Sequence, residues 1–525
     1  MRILDQAIQQ NIHKRYIDLS NEQTWEAFEK AACEKGLWIF GVGEGAELYL
    51  DRYDNRFTVN GVIDNDIHKQ GHLAKDYIKG NHADVLSSVK VCALPDSVNK
   101  DNAVVLVTSV RYFDEIIDQL NSYGIRNIYS LLHMEANRSD YSPAEDDEKK
   151  LYARKCLSNP VQMNKILLSR DESGGHGRQI FIYLLKRKDE FDLDLVWIDG
   201  RQDLDVPEGI RVILSSDWEK YIYELETAHI WLFGDMIPEF AIKRKEQKYI
   251  QLKHWASLTL KKFYMDLDRF LEVPAIRSYY RHNSDAMDYV FVGSEFDEAS
   301  CRSGFDFKGE CIHVGSPRTD VLFKSGIREK VFSKYGLRDD VHVLLYAPTF
   351  RSKDENTVIG KMGSISLDFG RLHKSLVKRF GGEWIILLRV HPDVAIESRK
   401  VKKPEFVIDA TYYPDAEELV AASDVLITDY SSIIFEPAFV GKAVFCYAPD
   451  KNEYILKDRE LLLDYDKLPF PLAESNDQLE KEILEFDEVE YEKELNQFLT
   501  HYNVNEDGHA AERAATFIEK LIAEG

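Results

Sequence analysis

The sequence predicts an α/β protein made of three doubly wound, Rossmann-like domains with parallel sheets. Short apolar runs of strand length alternate with helix-like segments along the whole chain of 525 residues. That length favours about three domains of roughly 100–200 residues each. A polar, acidic, proline-containing segment at 137–150 follows the first group of runs and is typical of a linker.

Each predicted domain has its own set of apolar runs. In the first domain, residues 1–140, the predicted strands are Leu37–Phe40, Val59–Ile63, Val89–Ala93, Val104–Val107 and Ile125–Leu131. After a linker at 141–150, the second domain, 151–328, has Ile166–Ser169, Leu193–Ile198, Val212–Leu214, Ile230–Phe233, Tyr249–Leu252, Tyr289–Val292 and Ile312–Val314. The third, 329–525, has Val343–Tyr346, Ile385–Arg389, Phe406–Ile408, Val425–Thr428 and Val444–Tyr447, then a charged helical tail from about Gln478. Ligands of such sheets bind beyond the carboxyl ends of the strands, so functional residues are expected in those loops.

Composition and charge exclude several classes of protein. Hydrophobic residues make up 44% and charged residues 30% of the chain, as in ordinary soluble proteins. A formal charge of −24 argues against a nucleic-acid-coating protein and leaves local basic patches as anion sites. Six scattered cysteines without C-x-x-C spacing indicate neither a zinc site nor a disulfide framework. The sequence has no signal peptide and no apolar run of about 18 residues, so we expect a cytoplasmic protein, at most peripheral to the inner face of the cell membrane.

A glycine-rich turn follows the first predicted strand. FGVGEGAELYL places Gly41, Gly43 and Ala46 in a G-x-G-x-x-A pattern, and Asp64 follows about twenty residues later, as in dinucleotide-binding domains. The glycines would permit close approach of a phosphate, and Asp64 would accept hydrogen bonds from ribose hydroxyls. Three interpretations stay open: a turn that binds nothing, a site for a sugar nucleotide or other nucleotide, and an NAD-dependent redox site.

Two segments of the second domain contain candidate polar ligands. RDESGGHGRQ, between a strand and a helix, offers His176 and Arg178 to an acceptor or a phosphate, although a plain loop fits equally well. Residues 241–263 form the most basic stretch of the chain, and His254 lies there just after an apolar strand. The alternatives for this stretch are a solvated basic face, an anion site, and contact with an anionic membrane surface through 243–262.

Basic residues also follow strands around the start of the third domain. HVGSPRTDVLF places Arg318 in a turn, where it would form either a hinge salt bridge or a phosphate contact. YAPTFRSK places Thr349 and Arg351 after a strand, which suits either a diphosphate clamp or a solvated basic loop. LLRVHPDV ends a buried strand with Arg389 and His391. Because His391 precedes proline, an extended loop is favoured, from which it would donate to a leaving phosphate.

The segment SDVLITDYSSIIFEPAFVGKAVFCY contains the strongest anion-site pattern. A predicted strand ends at Asp429, and Ser431 and Ser432 are suited to cap a helix that continues past Glu436 to Gly441. Free N–H groups and the positive end of the helix dipole would meet a phosphate there. Glu436 would accept hydrogen bonds from ribose hydroxyls. A helix that is simply capped is the alternative.

Taken in order, VGSPRTD, YAPTFR, RVHPD, ITDYSSIIFEPAFVGK and DGHAAERAATFI resemble the CDP-glycerol glycerophosphotransferases, the family of teichoic-acid and capsule polymerases. The resemblance covers the second and third domains and is stronger in the third. It implies a GT-B-like pair of Rossmann-like domains, preceded here by a third such domain. It also implies transfer of a polyol phosphate, with glycerol phosphate as first choice, from a CDP-polyol to a hydroxyl of a lipid-linked or polymeric acceptor, with release of CMP.

The resemblance also implies roles for individual residues. His391 corresponds to the histidine of the family's Arg-x-His-Pro strand end. The predicted substrate-binding residues are Thr349, Arg351, Arg389, Asp429, Ser431, Ser432, Glu436 and Arg318. One departure concerns the base: the family reads Trp-His-Gly-Thr-Pro where this sequence reads WASLT (255–259), so Ala256 stands at the position of the catalytic histidine. His254 is our candidate for that role, and it requires a rearranged loop.

This interpretation predicts two catalytic histidines and no required cofactor. His254 would take the proton of the acceptor hydroxyl, worth roughly 10²–10⁴-fold in rate, and His391 would meet the charge on the leaving phosphate. No acidic cluster has obvious metal-ligand spacing, so a required divalent metal is not expected. The rival functions are a GT-B glycosyltransferase, which would release a nucleoside diphosphate from a nucleotide sugar, and a non-catalytic nucleotide-binding protein of the same pathway.

Overall fold

The computed structural model describes most of the chain and divides it into two compact units. The described residues are 19–53, 56–78, 86, 88–94, 98, 103–109, 112–137, 148–169, 175–200, 206–266, 274–349, 367–390, 403–457 and 460–524. One unit comprises 1–148 and 268–279, and the other comprises 149–267 and 280–525. The boundary at 148 falls within the segment predicted to be a linker.

The first unit contains a parallel sheet of Rossmann type. Its strands are β1 (Leu37–Phe40), β2 (Val59–Ile63), β3 (Val91–Cys92), β4 (Val104–Val107) and β5 (Asn127–Ser130). Its helices are α1 (Trp25–Lys35), α2 (Glu44–Tyr53), α3 (Phe113–Ser122) and α4 (Leu131–Ala136). The strand order is β3-β2-β1-β4-β5, so the order reverses between β1 and β4, which is where ligands of this fold bind.

The second unit begins with α5 (Glu148–Cys156) and contains two further parallel sheets. The middle domain has β6 (Gln162–Ser169), β7 (Asp194–Asp199), β8 (Arg211–Leu214), β9 (Ala228–Phe233), β10 (Lys248–Gln251), β11 (Tyr289–Val292) and β12 (Glu310–His313). Its helices are α6 (His176–Lys186), α7 (Trp218–Thr227), α8 (Pro274–Ala286) from residue 280 onward, and α9 (Glu295–Gly304); residues 274–279 of α8 belong to the first unit. The strand order is β12-β11-β10-β9-β6-β7-β8, which places β10 in the interior of the sheet.

The C-terminal domain follows with six strands. They are β13 (His342–Ala347), β14 (Trp384–Leu388), β15 (Val407–Asp409), β16 (Val425–Thr428), β17 (Ala443–Tyr447) and β18 (Leu472–Ala473), in the order β15-β14-β13-β16-β17-β18. The helices are α10 (Ile327–Tyr335), α11 (Phe369–Phe380), α12 (Ala416–Ala422), α13 (Lys451–Lys457), α14 (Asn476–Leu484), α15 (Glu488–His501) and α16 (Ala510–Glu524). All four residues of β16 are buried, because helices cover both faces of a parallel sheet.

The last helix, α16, packs on the middle domain although the sequence prediction placed it in the third domain, 329–525. Ala514, Ala515 and Ile518 belong to the same buried cluster as Ile166 of β6 and Phe291 of β11. Small alanines on one helical face allow close approach to the sheet, so the chain returns to the middle domain at its end. Domain membership therefore does not follow sequence order in this unit.

The predicted long helix after Ser431 is replaced by two consecutive 3₁₀ helices, Ser432–Phe435 and Pro437–Val440. Proline has no N–H, so Pro437 cannot donate the hydrogen bond that an α-helix would need at that position. The predicted end at Gly441 is confirmed, since its φ of 71° is in the left-handed region that favours glycine.

The predicted fold class is confirmed, with three parallel α/β sheets. Among the helices of the described residues, none combines the length and the apolar character needed to cross a membrane. The six cysteines are all free thiols.

Candidate active site

The middle and C-terminal domains meet where strands of both sheets end. The Thr259 hydroxyl, in the loop after β10, lies 3.1 Å from the Ser432 hydroxyl, which also accepts a 3.3 Å hydrogen bond from the Leu260 N–H. The same loop pairs with the segment after α13 through a 2.8 Å hydrogen bond from the Leu462 N–H to the Leu260 carbonyl. This contact brings together the loops predicted to bind the acceptor and the donor.

Lys253 anchors the loop after β10 from inside the protein. Its ammonium group is 1% exposed and lies 2.6 Å from the Asp297 carboxylate. It also donates to the carbonyls of Trp255 at 3.3 Å and Ala256 at 3.0 Å. Lys253 has a left-handed backbone with φ of 58°, which costs a non-glycine residue about 1–2 kcal/mol. The buried ion pair therefore holds a sharply bent backbone directly before His254.

Three further side chains also donate hydrogen bonds to backbone carbonyls of this loop. The bonds are Arg318 Nη1 to the His254 carbonyl at 2.8 Å, His176 Nε2 to the Trp255 carbonyl at 2.9 Å and Ser294 Oγ to the Ser257 carbonyl at 2.6 Å. Burial, reinforced by the charges of Lys253 and Arg318, holds the pKa of His176 well below its usual range. The ring is thus neutral, with Nε2 protonated and Nδ1 accepting from the Arg318 N–H at 3.5 Å.

His254 is the exposed side chain in the segment 253–257, and its ring lies edge-on to Trp255 with centroids 4.9 Å apart. Ala256, at the position of the family's histidine, is 0% exposed. A side chain at position 256 therefore does not face solvent in this loop conformation, whereas His254 does. The replacement of the family's histidine by His254, and its catalytic role, stay predictions.

Ser257, which the resemblance sets against the family's glycine, is also fully buried. Its hydroxyl donates to Glu506 and lies 3.1 Å from the Ser316 hydroxyl. Burial raises the pKa of Glu506, while hydrogen bonds from Ser257, Ser316 and Thr319 oppose that rise. The side chain at 257 thus ties the loop to the segment before α16.

Asp429 joins two strand ends of the C-terminal domain. It directly follows β16, is 2% exposed, and accepts hydrogen bonds of 2.7 Å from the Thr349 and Tyr430 N–H groups. Thr349 follows β13, the neighbouring strand in the sheet. The structure therefore brings together the two residues predicted to lie at the diphosphate, and their contact with substrate stays a prediction.

The two serines after Asp429 have different roles in the structure. Ser431 caps the first 3₁₀ helix by accepting a 3.4 Å hydrogen bond from the Ile433 N–H. The Ser432 hydroxyl is hydrogen-bonded to Thr259 and Leu260 of the loop after β10. The Ile433 N–H donates to Ser431 Oγ, the Ile434 N–H donates to the Ser431 carbonyl at 3.1 Å, and the short 3₁₀ helix has a smaller dipole than the predicted α-helix.

Arg389, Arg351 and His391 belong to the other predicted phosphate loops. Arg389 directly follows β14, is half-buried, and donates from Nη1 to the Tyr413 carbonyl at 2.6 Å. That hydrogen bond supports the loop before α12. Arg351 and His391 lie in the ranges 350–366 and 391–402, outside the described residues, so their roles stay predictions.

Arg318 forms the hinge salt bridge that was one of its two predicted roles. It lies in the 3₁₀ helix Pro317–Phe323, with a side chain 9% exposed, and its Nε donates to Glu417 at 2.8 Å. The Glu436 carboxylate lies 3.5 Å from the same Nε. Burial raises the pKa of Glu417 to about 7 and also raises the pKa of Glu436, while Arg318 opposes both rises. Glu436 is thus 2% exposed and faces an arginine at the domain junction.

Sequence reasoning missed Lys253, Glu417 and Asp297. Lys253 was counted only as part of a basic stretch, yet a cation directly after an apolar strand indicates a buried charge. Glu417 lies in the acidic first turn of α12, a pattern that ordinary helix capping explains. Asp297 has the same position in α9. Their pairing with distant cations has no local sequence pattern.

Several cations of the basic stretch 241–263 are used within the fold. Lys243 lies 2.9 Å from Asp288, and Lys262 lies 2.8 Å from Glu460. Arg244 Nη1 donates to the Asn159 carbonyl at 2.7 Å. These contacts neutralise or saturate charges that a membrane surface would otherwise meet.

The predicted nucleotide turn of the first unit has the expected backbone. Gly41 has φ of 102°, and a Cβ added to Gly45 would lie 2.1 Å from the Thr108 carbonyl oxygen, so Gly45 is required for close packing. Among the described residues beyond its chain neighbours, none has an atom within 4 Å of a Cβ added to Gly43. The Asp64 carboxylate accepts from the Val42 N–H at 3.0 Å, so it supports the turn itself. Nucleotide binding there stays a prediction.

The fold and the site define a GT-B-like enzyme, in which two Rossmann-like domains meet at the carboxyl ends of their strands. The structure of the wall teichoic acid polymerase TagF has the same fold, with a TM-score of 0.63 at 24% sequence identity, over 73% of this chain and 95% of that one. In the described part of the chain, no group of three or more His, Cys, Asp or Glu side chains is placed to hold a metal ion.

The family model of the CDP-glycerol:poly(glycerophosphate) glycerophosphotransferases matches residues 151–520, and the chain belongs to this family. Teichoic acid poly(glycerol phosphate) polymerase of Bacillus spizizenii is 27% identical over 354 residues, which are 66% of this chain and 88% of that protein. Teichoic acid poly(ribitol-phosphate) polymerase of the same organism is 30% identical over 366 residues, 67% of this chain and 56% of that protein. The predictions of the family and of an enzyme are confirmed.

Proposed function

We propose that this enzyme transfers glycerol phosphate from CDP-glycerol to a hydroxyl of a teichoic-acid-type polymer or its lipid-linked precursor, with release of CMP. The observation that carries the proposal is the family match over 151–520, which spans the two domains that meet at the cleft. Glycerol is favoured over ribitol by the family description.

The reaction proposed is an in-line displacement. The acceptor hydroxyl oxygen attacks the phosphorus that bears glycerol, and a new P–O bond forms as the P–O bond to CMP breaks. The hydroxyl proton passes to a base, for which we propose His254. Its side chain is exposed, while buried side chains hold the backbone carbonyls of its loop by hydrogen bonds. Such a base contributes roughly 10²–10⁴-fold in rate.

The larger requirement is to stabilise charge on the leaving CMP phosphate. We assign this to groups of the C-terminal domain: Arg351, His391 and the turn at Ser431 and Ser432. The Asp429–Thr349 hydrogen bond supports the part of this assignment that concerns Arg351 and Ser431, because it joins the ends of β13 and β16 that precede them in the chain. Fixed donors at a developing charge are usually the largest catalytic contribution.

A non-catalytic nucleotide-binding role is the second candidate, and one observation favours it. The family's histidine position holds Ala256, which is fully buried. If His254 does not replace that histidine, the protein would bind cytidine nucleotides without turnover.

We place the reaction at the cytoplasmic side of the cell membrane, with the acceptor held in the lipid. Contact with anionic lipid through 243–262 is part of this proposal, and exposed Lys245 is available for it. Co-sedimentation with phosphatidylglycerol vesicles, compared with phosphatidylcholine vesicles, tests that contact.

The test of function is a nucleotide-release assay. The purified chain is incubated with CDP-glycerol, CDP-ribitol or a UDP-sugar and an oligomeric glycerol-phosphate acceptor, and free nucleotide is measured. Acceptor-dependent CMP release from CDP-glycerol supports the proposal. UDP release from a UDP-sugar would support a glycosyltransferase. CMP binding, seen as a raised Tm, without CMP release from either CDP-polyol would support the binding protein.

A further inference from the structure

One buried guanidinium connects both sides of the cleft. Arg318 donates from Nη1 to the carbonyl of His254 at 2.8 Å, in the middle domain. It donates from Nε to Glu417 at 2.8 Å and lies 3.5 Å from Glu436, both in the C-terminal domain. A guanidinium is suited to this arrangement, because its donors lie in a rigid plane and reach several partners at once.

The two carboxyl groups that face Arg318 do not have hydrogen-bond donors for all of their oxygens. Glu417 Oε2 and Glu436 Oε2 are buried and accept no hydrogen bond from an N–H or hydroxyl donor in the described part of the chain, while the two carboxyl groups lie within hydrogen-bonding contact of each other. Glu436 is also the residue predicted to accept from the ribose of the donor. A hydroxyl that bound there would supply the missing donor and would change how the two carboxylates share Arg318.

The Arg318 side chain holds one carbonyl of the loop on the other side, that of His254. The Trp255, Ala256 and Ser257 carbonyls are held by side chains of the middle domain, whereas the His254 carbonyl is held by Arg318. The residue that presents its side chain to solvent is therefore the one whose backbone is linked to the C-terminal carboxylates.

We propose that Arg318 is a positioning residue that couples occupancy of the donor site at Glu436 to the placement of the loop carrying His254. The inference rests on the proposed function in that it takes the donor to be a cytidine nucleotide. It goes further because it makes acceptor activation depend on a filled donor site. Activation of the acceptor hydroxyl while the donor site is empty is thereby disfavoured.

The test uses CMP as the probe and hydrogen–deuterium exchange of the full chain as the readout. In the wild type, we expect CMP to slow exchange in the backbone of residues 252–262. CMP affinity is measured separately by calorimetry, so loss of binding is distinguished from loss of coupling.

Two variants interrupt the link. R318Q/E417Q removes one positive and one negative charge and keeps the side-chain sizes close, so the buried cluster is not left with an added net charge. R318K keeps the charge but has a single nitrogen that cannot reach both sides. The matched control is R328Q/D424N, because Arg328 forms a 3.1 Å pair with Asp424 away from the cleft.

We expect both Arg318 variants to bind CMP but to lose its effect on exchange at 252–262. Their kcat with CDP-glycerol should fall about 10–100-fold with KM for CDP-glycerol little changed, as for a misplaced catalytic group. The control should keep both the exchange effect and the turnover. Retention of the exchange effect in either Arg318 variant overturns the inference.

The failure of the proposed function has a different signature. CMP binding without slowed exchange in the wild type overturns the coupling alone. Coupling without CMP release from any CDP-polyol overturns the catalytic proposal and leaves the coupling in place. A wild type that does not bind CMP overturns both.

Discussion

His254 is the residue on which the choice between an enzyme and a binding protein depends. It directly follows a lysine with left-handed backbone, and it is exposed while its neighbours Trp255 and Ala256 are buried. The position is therefore created by the backbone bend and by the Lys253–Asp297 ion pair rather than by the sequence pattern of the family.

We predict that H254Q lowers kcat for CMP release about 10²–10⁴-fold and leaves CMP affinity unchanged, because the side chain acts on the acceptor proton. The control is H313Q, since His313 is exposed at the end of β12 and pairs with Glu298 at 2.7 Å. Initial rates with CDP-glycerol and calorimetry with CMP give the two quantities. Unchanged turnover in H254Q would remove His254 from the mechanism.

Glu226, outside the cleft, is a buried acid, and one of its two carboxyl oxygens accepts a hydrogen bond. It is 0% exposed; Oε1 accepts from the Ile242 N–H at 2.9 Å, and Oε2 has no partner among the described residues. Burial raises its pKa from 4.5 to about 8. The folded protein therefore keeps a proton on Glu226 at neutral pH that the unfolded chain releases.

This predicts a pH dependence of stability. Between pH 4.5 and about 8 the folded state holds one more proton at this site, so its contribution to stability falls as pH rises, by at most about 1.4 kcal/mol per pH unit. E226Q removes that dependence, and its Tm advantage over the wild type should widen from pH 5 to pH 8. E492Q, at an exposed glutamate, is the control. A Tm difference independent of pH would contradict the assignment.

At the scale of elements, the loop after β10 and the end of β11 fit together through one close contact. A Cβ added to Gly293 would lie 1.8 Å from Ser257 Oγ and 3.0 Å from Glu506 Oε1. The buried Ser257 side chain therefore requires a glycine on the neighbouring strand end. This explains how the loop keeps a buried hydroxyl at position 257.

We predict that G293A destabilises the protein by about 1–3 kcal/mol through overpacking and that S257G in the same chain recovers part of the loss. Thermal unfolding of the single and double variants measures both effects. G370A is the control, because a Cβ there makes only an ordinary 3.5 Å contact with Asp368 Oδ1. If the double variant is no more stable than G293A, the contact with Ser257 is not the cause.

At the scale of the whole molecule, the family match and the second compact unit nearly coincide. The match begins at residue 151, and the second unit begins at 149. The cleft contacts and the described candidate residues for transfer lie within that unit. The first unit has its own sheet and its own buried cluster.

We therefore predict that a chain truncated to residues 149–525 binds CMP with the affinity of the full chain and releases CMP from CDP-glycerol at a similar rate. Its proper folding is checked by a cooperative thermal transition that CMP raises. A folded truncated chain that has lost CMP binding would show that the first unit contributes to the donor site.

Much of the fold was predictable because parallel strands buried on both faces are continuous apolar runs. Predicted and observed strands coincide at Leu37–Phe40 and Val425–Thr428, and differ by a residue or a few at most other positions. The strand Leu472–Ala473 was missed, since two residues make no detectable run. The return of α16 to the middle domain was missed because a helix's amphipathic pattern does not identify the sheet it covers.

The candidate site was predictable to the level of its loops. Strand-end positions identified Asp429 and Thr349 at one edge of the C-terminal sheet and His254 after a strand of the middle sheet, because strands of a parallel sheet end on the same side. The partners of Arg318 were not predictable, since Glu417 is 99 residues further along the chain. The 3₁₀ geometry after Ser431 could have been foreseen from Pro437, which interrupts the helical pattern.

The sequence by itself determined the family, the three Rossmann-like domains and the strand-end loops in which the site lies, because hydrophobic periodicity and ordered motifs are local properties of the chain. Only the tertiary structure decided that Ala256 is buried while His254 is exposed, and that Arg318 joins the two sides of the cleft. Burial and the pairing of charges depend on segments far apart in sequence. A desolvated charge is stable only beside a partner that folding brings to it.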